Sequence, residues 1–151
     1  MNQIGNREYF GNWVADKKEG SGKHFNPIDD NLIYDGFWKL NLYHGYGTLH
    51  DKNNAIIYTG YWQYGKRNST GIAFKTDTDN GELNSYKIYD GEWKNDKKVG
   101  SGVSFYKNEN KMYEGQFIND NFEGFGTFYL ENGMTNYQGY WFNNKFHGKG
   151  V

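Results

Sequence analysis

The sequence predicts an all-β protein, a single-layer antiparallel meander of β-hairpins that forms an elongated, twisted ribbon. Three observations favour this fold: a short motif recurs six times, aromatic and polar residues alternate within each copy, and turn-forming residues follow at a constant distance. Repeats of this length usually stack as a solenoid in which each repeat contacts only its neighbours. Residues 1–151 are therefore predicted to form one array of six repeats, with about twelve strands.

The recurring motif is a tyrosine, any residue, a glycine, any residue, and a final tryptophan or phenylalanine. Because successive side chains of a strand point to opposite sides, the tyrosine, glycine and tryptophan share one side, here called the motif face. The residues between them lie on the other side, called the opposite face. The six predicted repeats cover about residues 9–31, 34–55, 58–86, 89–110, 113–134 and 137–151. The motif residues, to which we assign a structural role, are Tyr9, Gly11 and Trp13; Tyr34, Gly36 and Trp38; Tyr58, Gly60 and Trp62; Tyr89, Gly91 and Trp93; Tyr113, Gly115 and Phe117; and Tyr137, Gly139 and Trp141.

Two further glycines, separated by one residue, follow the motif and predict the return strand of a hairpin. We call them the first and second return glycines. Only repeat 3 departs from this pattern, with Ser69 in place of the first glycine of the pair. Glycine weakens a strand, so its recurrence here needs a physical reason. We expect tyrosine and tryptophan rings to cover both return positions, where a larger side chain would displace them.

Polar residues between the two strands of each repeat predict the turns, for example Asn95-Asp96-Lys97-Lys98 in repeat 4. Repeat 3 has a long insertion, residues 76–87, which contains the acidic run Asp77-Thr78-Asp79-Asn80-Gly81. This run resembles a calcium-binding loop, but Ile88 stands where a bidentate glutamate is needed. We therefore interpret the insertion as a solvated loop that could contact a partner.

The composition excludes several classes of function. With 17 Lys and Arg against 18 Asp and Glu, the chain is almost neutral, which argues against a nucleic-acid partner. It contains no cysteine, so disulfides and cysteine-bound zinc are excluded. Met1–Glu8 contains no hydrophobic run, and no stretch approaches the roughly 20 apolar residues of a membrane-spanning helix. These observations favour a cytoplasmic protein.

No arrangement of residues predicts an enzyme, a cofactor or a metal site. Serines and threonines show no Ser-His-Asp pattern, and the Gly-x-Gly pairs lack the nucleotide-binding fingerprint. His44 and His147 take the same place in their repeats, but about four repeats of roughly 10 Å each separate them. The four histidines are therefore interpreted as surface residues: His24, His44, His50 and His147.

The Tyr-x-Gly-x-Trp motif and its Gly-x-Gly return strand resemble the MORN repeat, and the resemblance extends from Tyr9 to Val151. The family implies a β-hairpin solenoid without catalytic activity, which acts as a scaffold between protein partners. Residues 58–67, 76–87 and 89–98 together resemble a small vertebrate member of the family from testis and motile cilia. The resemblance thus implies a structural protein of a ciliary axoneme or of another microtubule-associated, cytoskeletal assembly.

The opposite face carries a second set of aromatic residues, which we interpret as a binding surface for partner proteins. A single-layer sheet cannot cover both of its faces, and exposed aromatic strips often bind proteins. Phe37 is expected to pair with Tyr61, and Tyr140 with Phe142. Alternatively, these rings pack on one another as structural ladders. The candidate aromatic residues are Phe37, Tyr61, Phe74, Phe105, Tyr140 and Phe142.

Basic pairs are predicted at the hairpin tips of three repeats: Lys17-Lys18, Lys66-Arg67 and Lys97-Lys98. Lys66 and Arg67 belong to the candidate partner-binding residues. A basic edge could bind phosphoinositide headgroups, which gives an alternative function as a peripheral membrane protein. Alternatively, these side chains are solvated and protect the sheet from aggregation. The strand at Val151 is predicted to have an open edge, where either the native chain continues or a neighbouring chain pairs with it.

Overall fold

A computed structural model describes residues 8–151 of the protein. These residues form twelve strands joined by turns, and no helix occurs among them. The chain divides into two compact units, Met1–Lys66 and Arg67–Val151, which are described separately. Within each unit the strands are antiparallel and follow the order of the chain. The predicted all-β meander of hairpins is therefore confirmed.

The first unit contains the hairpins of repeats 1 and 2 and the motif strand of repeat 3. In each of its two hairpins the motif glycine lies opposite the second return glycine, as Gly36 lies opposite Gly47. The strands are β1 (Tyr9–Val14), β2 (Lys17–Phe25), β3 (Leu32–Lys39), β4 (Leu42–His50) and β5 (Ile56–Gln63).

The second unit contains the return strand of repeat 3 and the hairpins of repeats 4 to 6. Its last strand is short, but backbone pairing continues beyond it, because Val151 and Gln138 exchange two hydrogen bonds of 2.8 Å. That an open edge pairs with a neighbouring chain stays a prediction. The strands are β6 (Lys66–Asp79), β7 (Glu82–Lys94), β8 (Lys97–Phe105), β9 (Lys111–Ile118), β10 (Asn121–Tyr129), β11 (Thr135–Phe142) and β12 (Lys145–His147).

The repeats close with two-residue turns in which both residues have a positive φ, the geometry of a type I′ turn. In repeat 2, for example, Leu40 and Asn41 have φ angles of 52° and 69°. Such a turn matches the right-handed twist of the strands that it joins. The turns are shorter than the sequence suggested, since Lys97 and Lys98 already belong to β8. The turns are Ala15–Asp16, Leu40–Asn41, Tyr64–Gly65, Asn95–Asp96, Asn119–Asp120 and Asn143–Asn144.

Aromatic rings on the motif face form the core of each unit. In the first unit Tyr34 is fully buried, with its ring edge against Trp38 at 5.2 Å and its face stacked on Tyr43 at 3.8 Å. In the second unit Tyr113 contacts Phe117 at 5.1 Å in the same way. Because each ring covers the next, a single layer of strands can bury a large aromatic surface.

Two kinds of hydrogen bond hold the motif side chains. The tyrosine hydroxyl donates to the carbonyl three residues later in its own strand, as Tyr34 does to Phe37 at 3.0 Å. The tryptophan indole N–H donates to a return glycine of the preceding repeat, as Trp38 does to Gly22 at 3.0 Å. The tyrosine bond is therefore local to one repeat, whereas the tryptophan bond joins neighbouring repeats.

The two return glycines are required for different reasons. A Cβ atom on the second, Gly47, would collide with the hydroxyl and ring carbons of Tyr34, as expected for an aromatic cover. The first, Gly45, instead has a φ of 70° beside the point where the register of β3 and β4 shifts. The expectation that rings cover both positions is thus wrong for the first glycine, where a left-handed backbone is the cause. Ser69 adopts the same conformation with a φ of 64°, at a cost of roughly 1–2 kcal/mol for a residue with a side chain.

The insertion of repeat 3 extends a hairpin and is not a solvated loop. β6 and β7 continue to pair through Lys75 and Tyr86 as far as Asp79 and Glu82. They close there with the turn Asn80–Gly81, whose φ angles are 50° and 82°. Asn-Gly between two strands is a strong signal for this turn.

Candidate functional site

The opposite face of the first unit exposes three aromatic rings on consecutive strands. Phe37 of β3, Tyr46 of β4 and Tyr61 of β5 are 53%, 49% and 47% exposed. Tyr46 and Tyr61 pack edge to face, with ring centroids 5.3 Å apart. The Phe37 side chain lies against Gly45, since a Cβ atom on this glycine would be 3.2 Å from Phe37 Cβ. We call Phe37, Tyr46 and Tyr61 the aromatic cluster.

The predicted pairing of Phe37 with Tyr61 is wrong. Each repeat contributes two strands to the meander, so β4 separates the motif strands β3 and β5. The cross-strand partner of Tyr61 is Tyr46, whereas Phe37 lies opposite Ser21 of β2. Sequence reasoning missed Tyr46, although its place between the two return glycines identifies it as a residue of the opposite face.

A second aromatic pair lies on the opposite face of the second unit. Tyr140 packs edge to face on Phe125, with ring centroids 5.6 Å apart. Phe125 stands between the return glycines of repeat 5, as Tyr46 does in repeat 2, and was missed for the same reason. Phe142 contacts the ring of His147 at 6.1 Å. These two contacts replace the predicted pairing of Tyr140 with Phe142.

Phe105 and Phe74 are less exposed than the other candidate rings. The ammonium group of Lys87 lies 4.3 Å from the centre of the Phe105 ring, a cation–π contact. Lys87 also forms an ion pair with Asp90 at 3.9 Å and lies opposite Phe74 in the register. Phe105 is thus held by a contact within the second unit, and neither ring is as exposed to a partner as those of the aromatic cluster.

Polar residues occupy the corresponding row of the opposite face in β7, β8 and β9. Glu92 Oε2 accepts a hydrogen bond from the backbone N–H of Ser101 at 2.6 Å, and Gln116 Nε2 donates to Ser101 Oγ at 3.0 Å. Ser101 and Gln116 border a trough of about 380 Å³ that also includes Asp90 and Glu114. The trough is open to solvent, so it lacks the enclosure that a small ligand needs.

A family model described as MORN repeat matches six segments of the chain, which together cover more than half of it: residues 9–25, 34–56, 58–73, 89–111, 113–135 and 137–151. The protein belongs to the MORN repeat family. Repeats of this family are generally not enzymes. Each of the six matched segments begins at a motif tyrosine, and four of these tyrosines, Tyr34, Tyr58, Tyr89 and Tyr113, belong to the buried core.

This MORN repeat protein is similar to MORN repeat-containing protein 3 of Xenopus laevis, with 39% identity over 94 residues. The aligned region covers 62% of this chain and 39% of the relative. The chain thus spans about two-fifths of the length of the relative that it matches.

The basic pairs of the MORN repeats lie next to the hairpin tips as predicted, but they belong to strands and not to the turns. They are the first two residues of β2, β6 and β8, and the second residue of each pair points to the motif face. Lys18 Nζ lies 4.9 Å from the Trp38 ring, Arg67 Cζ 4.3 Å from the Trp93 ring, and Lys98 Nζ 5.1 Å from the Tyr89 ring. Burial among these rings lowers the pKa of Lys98. Three of the six residues of the predicted basic edge, Lys18, Arg67 and Lys98, thus contact rings of the core.

The second residue of the return strand in each MORN repeat is therefore either a cation or an aromatic ring. Tyr43 occupies this position in repeat 2, and Phe122 occupies it in repeat 5, where it stacks on Tyr113 at 3.9 Å. Lys98 occupies it in repeat 4. Rings and cations can both cover the face of a motif tyrosine, because the π electrons attract a positive charge.

Lys66 and Arg67, the basic pair of repeat 3, differ in availability. Lys66 is exposed, whereas Arg67 is held by Asp96, with 3.1 Å between Arg67 Nε and Asp96 Oδ1. In repeat 4 the exposed Lys97 forms an ion pair with Asp120 at 3.6 Å. The first lysine of each pair is the one that faces solvent.

The four histidines differ in their surroundings. His24 differs from its interpretation as a surface residue, because its ring lies on the motif face 5.9 Å from the Trp38 ring, where burial lowers its pKa. His44 accepts a hydrogen bond from the Tyr64 backbone N–H at 3.3 Å. Among residues 8–151, no group of three His, Cys, Asp or Glu side chains could hold a metal ion. The described part of the chain offers no helix with the length and apolarity that crossing a membrane requires.

Proposed function

We propose that this MORN repeat protein is a noncatalytic scaffold that binds other proteins through the opposite face of its sheet. The observation that carries this proposal is the aromatic cluster of Phe37, Tyr46 and Tyr61. These rings are about half exposed, although the motif rings on the other side of the same strands, such as Tyr34 and Tyr58, are buried.

The exposed area of the cluster is sufficient for a binding hot spot. A buried aromatic side chain removes about 150–250 Å² from water, so each half-exposed ring can still bury on the order of 100 Å². At about 25 cal/mol per Å², the transfer is worth roughly 2–3 kcal/mol per ring. Three adjacent rings therefore offer a contribution of the size that dominates protein interfaces.

Two rings of the cluster, Tyr46 and Tyr61, are also held in a fixed arrangement. The Tyr46 hydroxyl lies 3.2 Å from Thr59 Oγ1, which in turn lies 3.0 Å from Thr48 Oγ1. The edge-to-face packing of Tyr46 on Tyr61 restricts both rings further. A partner that binds here has little side-chain entropy to remove. The ladder that Tyr46 and Tyr61 form thus supports a binding role and does not exclude it.

The proposed setting is a ciliary axoneme or another cytoskeletal assembly in the cytoplasm. Support comes from the resemblance of residues 58–67, 76–87 and 89–98 to a small MORN repeat protein of testis and motile cilia. Tagging the protein in a ciliated cell tests this part of the proposal, and exclusion from the cilium and from microtubules would contradict it.

Affinity purification from such cells tests the binding surface. The variant Tyr46→Ser with Tyr61→Ser should lose the proteins that the wild type recovers, whereas Met134→Ser should retain them. Met134 is a matched control because it is 63% exposed but lies outside the cluster. Circular dichroism must show that both variants keep the fold. Equal recovery by all three proteins would refute the assignment of this surface.

The alternative function, binding to phosphoinositides on a membrane, depends on the solvent-facing lysines Lys17, Lys66 and Lys97. It has less support, since Lys18, Arg67 and Lys98 contact aromatic rings of the core. Flotation with vesicles that contain phosphatidylinositol bisphosphate separates the two functions. Salt-sensitive flotation that a triple Lys→Ser variant loses would favour the membrane, and its absence would exclude it.

A further inference from the structure

The extended hairpin of repeat 3 has a strand edge without a neighbour. This repeat-3 arm comprises residues 75–79 of β6 and 82–86 of β7, which pair with each other. On its other side, β7 begins to pair with β8 only at Tyr89, opposite Ser104. The chain then leaves β8 and turns at residues 106–110 before it enters β9. Along the arm, β7 is therefore an edge strand within the second unit.

The turn geometry determines which backbone groups face this edge. In a hairpin with a two-residue turn, the flanking residues Asp79 and Glu82 exchange hydrogen bonds, and every second pair after them does the same. The intervening residues Leu83 and Ser85 therefore direct their N–H and C=O groups away from β6. Lys87 follows the same alternation, and its N–H indeed points outward and donates to Glu109 Oε1 at 3.1 Å.

Leu83 and Ser85 leave these groups unpaired. Among the residues that the structure describes, neither forms a hydrogen bond with the turn at residues 106–110 or with any other element on this side. A notch of about 440 Å³ separates the arm from the turn and is lined by Ser85, Lys107 and Glu109, among others. The Glu109 carboxylate takes the place beside Lys87 that a carbonyl group of a neighbouring strand would take.

Side-chain contacts hold the arm in a fixed position. The Tyr86 hydroxyl donates to Asp77 Oδ2 at 2.7 Å. Lys107 Nζ lies 3.5 Å from Asp77 and 3.4 Å from Asp79, so the turn is tied to one face of the arm. The free edge is thus presented without the entropy cost of ordering a loop.

We propose that the β7 edge at Leu83 and Ser85 binds an extended, basic peptide segment of a partner protein by β-strand addition. Two unpaired N–H and two unpaired C=O groups, at alternate residues, are the pattern that an added strand recognises. Asp79 and Glu109 line the notch, and Glu82 directly precedes Leu83 in β7. The single cation that lines the notch, Lys107, is already matched by Asp79. The remaining negative charge favours lysine or arginine in the peptide. This site contains no residue of the aromatic cluster and does not depend on the proposed function.

Titration with a defined peptide tests the proposal. The probe is an eight-residue peptide that alternates valine and lysine, added to the full ¹⁵N-labelled chain. The amide signals of Leu83 and Ser85 should shift most, and both amides should become protected from hydrogen exchange. A peptide that alternates valine and glutamate should bind with an affinity that is lower by about tenfold or more. Shifts that are absent from residues 82–87, or equal affinity of the two peptides, would overturn the proposal.

Two variants of one residue separate the backbone from the side chain. Ser85→Pro removes the outward N–H, which the arm itself does not use, whereas Ser85→Ala retains it. We expect Ser85→Pro to weaken binding about tenfold or more and Ser85→Ala to leave it unchanged. Equal affinities of the two variants would contradict strand addition.

A peptide with N-methylated backbone nitrogens provides a second test that remains valid if Ser85→Pro disturbs the arm. Methylation of alternate peptide nitrogens should abolish binding to the unaltered protein, and retained affinity would contradict the proposal. Concentration-dependent dimers of the protein that Ser85→Pro abolishes would identify a second copy as the occupant and overturn the assignment to a partner peptide.

Discussion

Replacement of Gly47 by alanine tests whether the second return glycine exists to admit a tyrosine ring. The three atoms nearest to a Cβ atom at this position all belong to Tyr34: the hydroxyl oxygen, Cζ and Cε2. All three would lie well inside van der Waals contact. The added methyl group can therefore be accommodated only if the Tyr34 ring moves.

The expected cost follows from the burial of Tyr34, which is 0% exposed. An aromatic ring of this kind buries about 150–250 Å², worth roughly 4–6 kcal/mol at about 25 cal/mol per Å². Displacement also breaks the hydroxyl bond to Phe37, worth about 1 kcal/mol. Partial repacking recovers some of this free energy. We expect Gly47→Ala to lower the free energy of unfolding by about 3–5 kcal/mol.

A double-mutant cycle isolates the cause. Tyr34→Ala removes the ring, so adding Gly47→Ala should then cost less than about 1 kcal/mol. Gly36 provides a matched control, because a Cβ atom there would meet Gly47 Cα and the Tyr46 carbonyl oxygen as well as the Tyr34 hydroxyl. These backbone contacts remain when the ring is gone. Gly36→Ala should therefore stay costly in the Tyr34→Ala background.

Urea unfolding of the six proteins in this cycle, followed by tryptophan fluorescence, supplies the free energies. Circular dichroism must give coincident transitions, since a repeat array can unfold in steps. Additive costs of Tyr34→Ala and Gly47→Ala would refute the reasoning, because independent sites share no contact.

Three further predictions concern other repeats. Ser69→Gly should raise the free energy of unfolding by about 1 kcal/mol, because it relieves a left-handed backbone; a lower melting temperature would contradict this. Lys98→Phe should be tolerated, since Phe122 occupies the same position in repeat 5, whereas Lys98→Glu should destabilise the protein by about 1 kcal/mol. Equal melting temperatures of these two variants would contradict the idea that a ring and a cation serve the same purpose at this position. Burial raises the pKa of Tyr113 to about 12, whereas unfolded tyrosines ionise near 10. The folded state thus holds protons that the unfolded state loses, so stability should fall between pH 10 and 12. Absorbance at 295 nm should show late-ionising tyrosines, and a single transition near pH 10 would exclude them.

The sequence was sufficient to predict the strands and their faces, because alternation depends only on neighbouring residues. Tyr34 and Trp38 on one side of β3, and Phe37 on the other, lie as the pattern predicts. Contacts between strands were harder to predict. Tyr61 contacts Tyr46 and not Phe37, since the return strand lies between two motif strands and the register shifts after Gly36.

The remaining errors arose from turns whose residues are not typical of them. Leu40 and Tyr64 adopt positive φ angles at the first turn position, where asparagine, aspartate or glycine is usual. At Tyr64 the missing signal favoured a longer turn, which then included Lys66 and Arg67. In repeat 4 Asn95 does carry the signal, but the lysines that follow it were also assigned to the turn, so the cation–π contact of Lys98 with the core was not foreseen. Asn80–Gly81 did carry the signal, but its acidic neighbours suggested a loop.

The indole hydrogen bonds make the array directional. Trp38, Trp62 and Trp141 each donate to a glycine carbonyl that precedes them by one repeat, namely Gly22, Gly47 and Gly126. Ribosomes deliver a chain from its N-terminus, and early segments can fold before later ones are made. A newly made repeat whose motif ends in one of these tryptophans can therefore find its acceptor already folded, so that the repeats can be added one after another during translation.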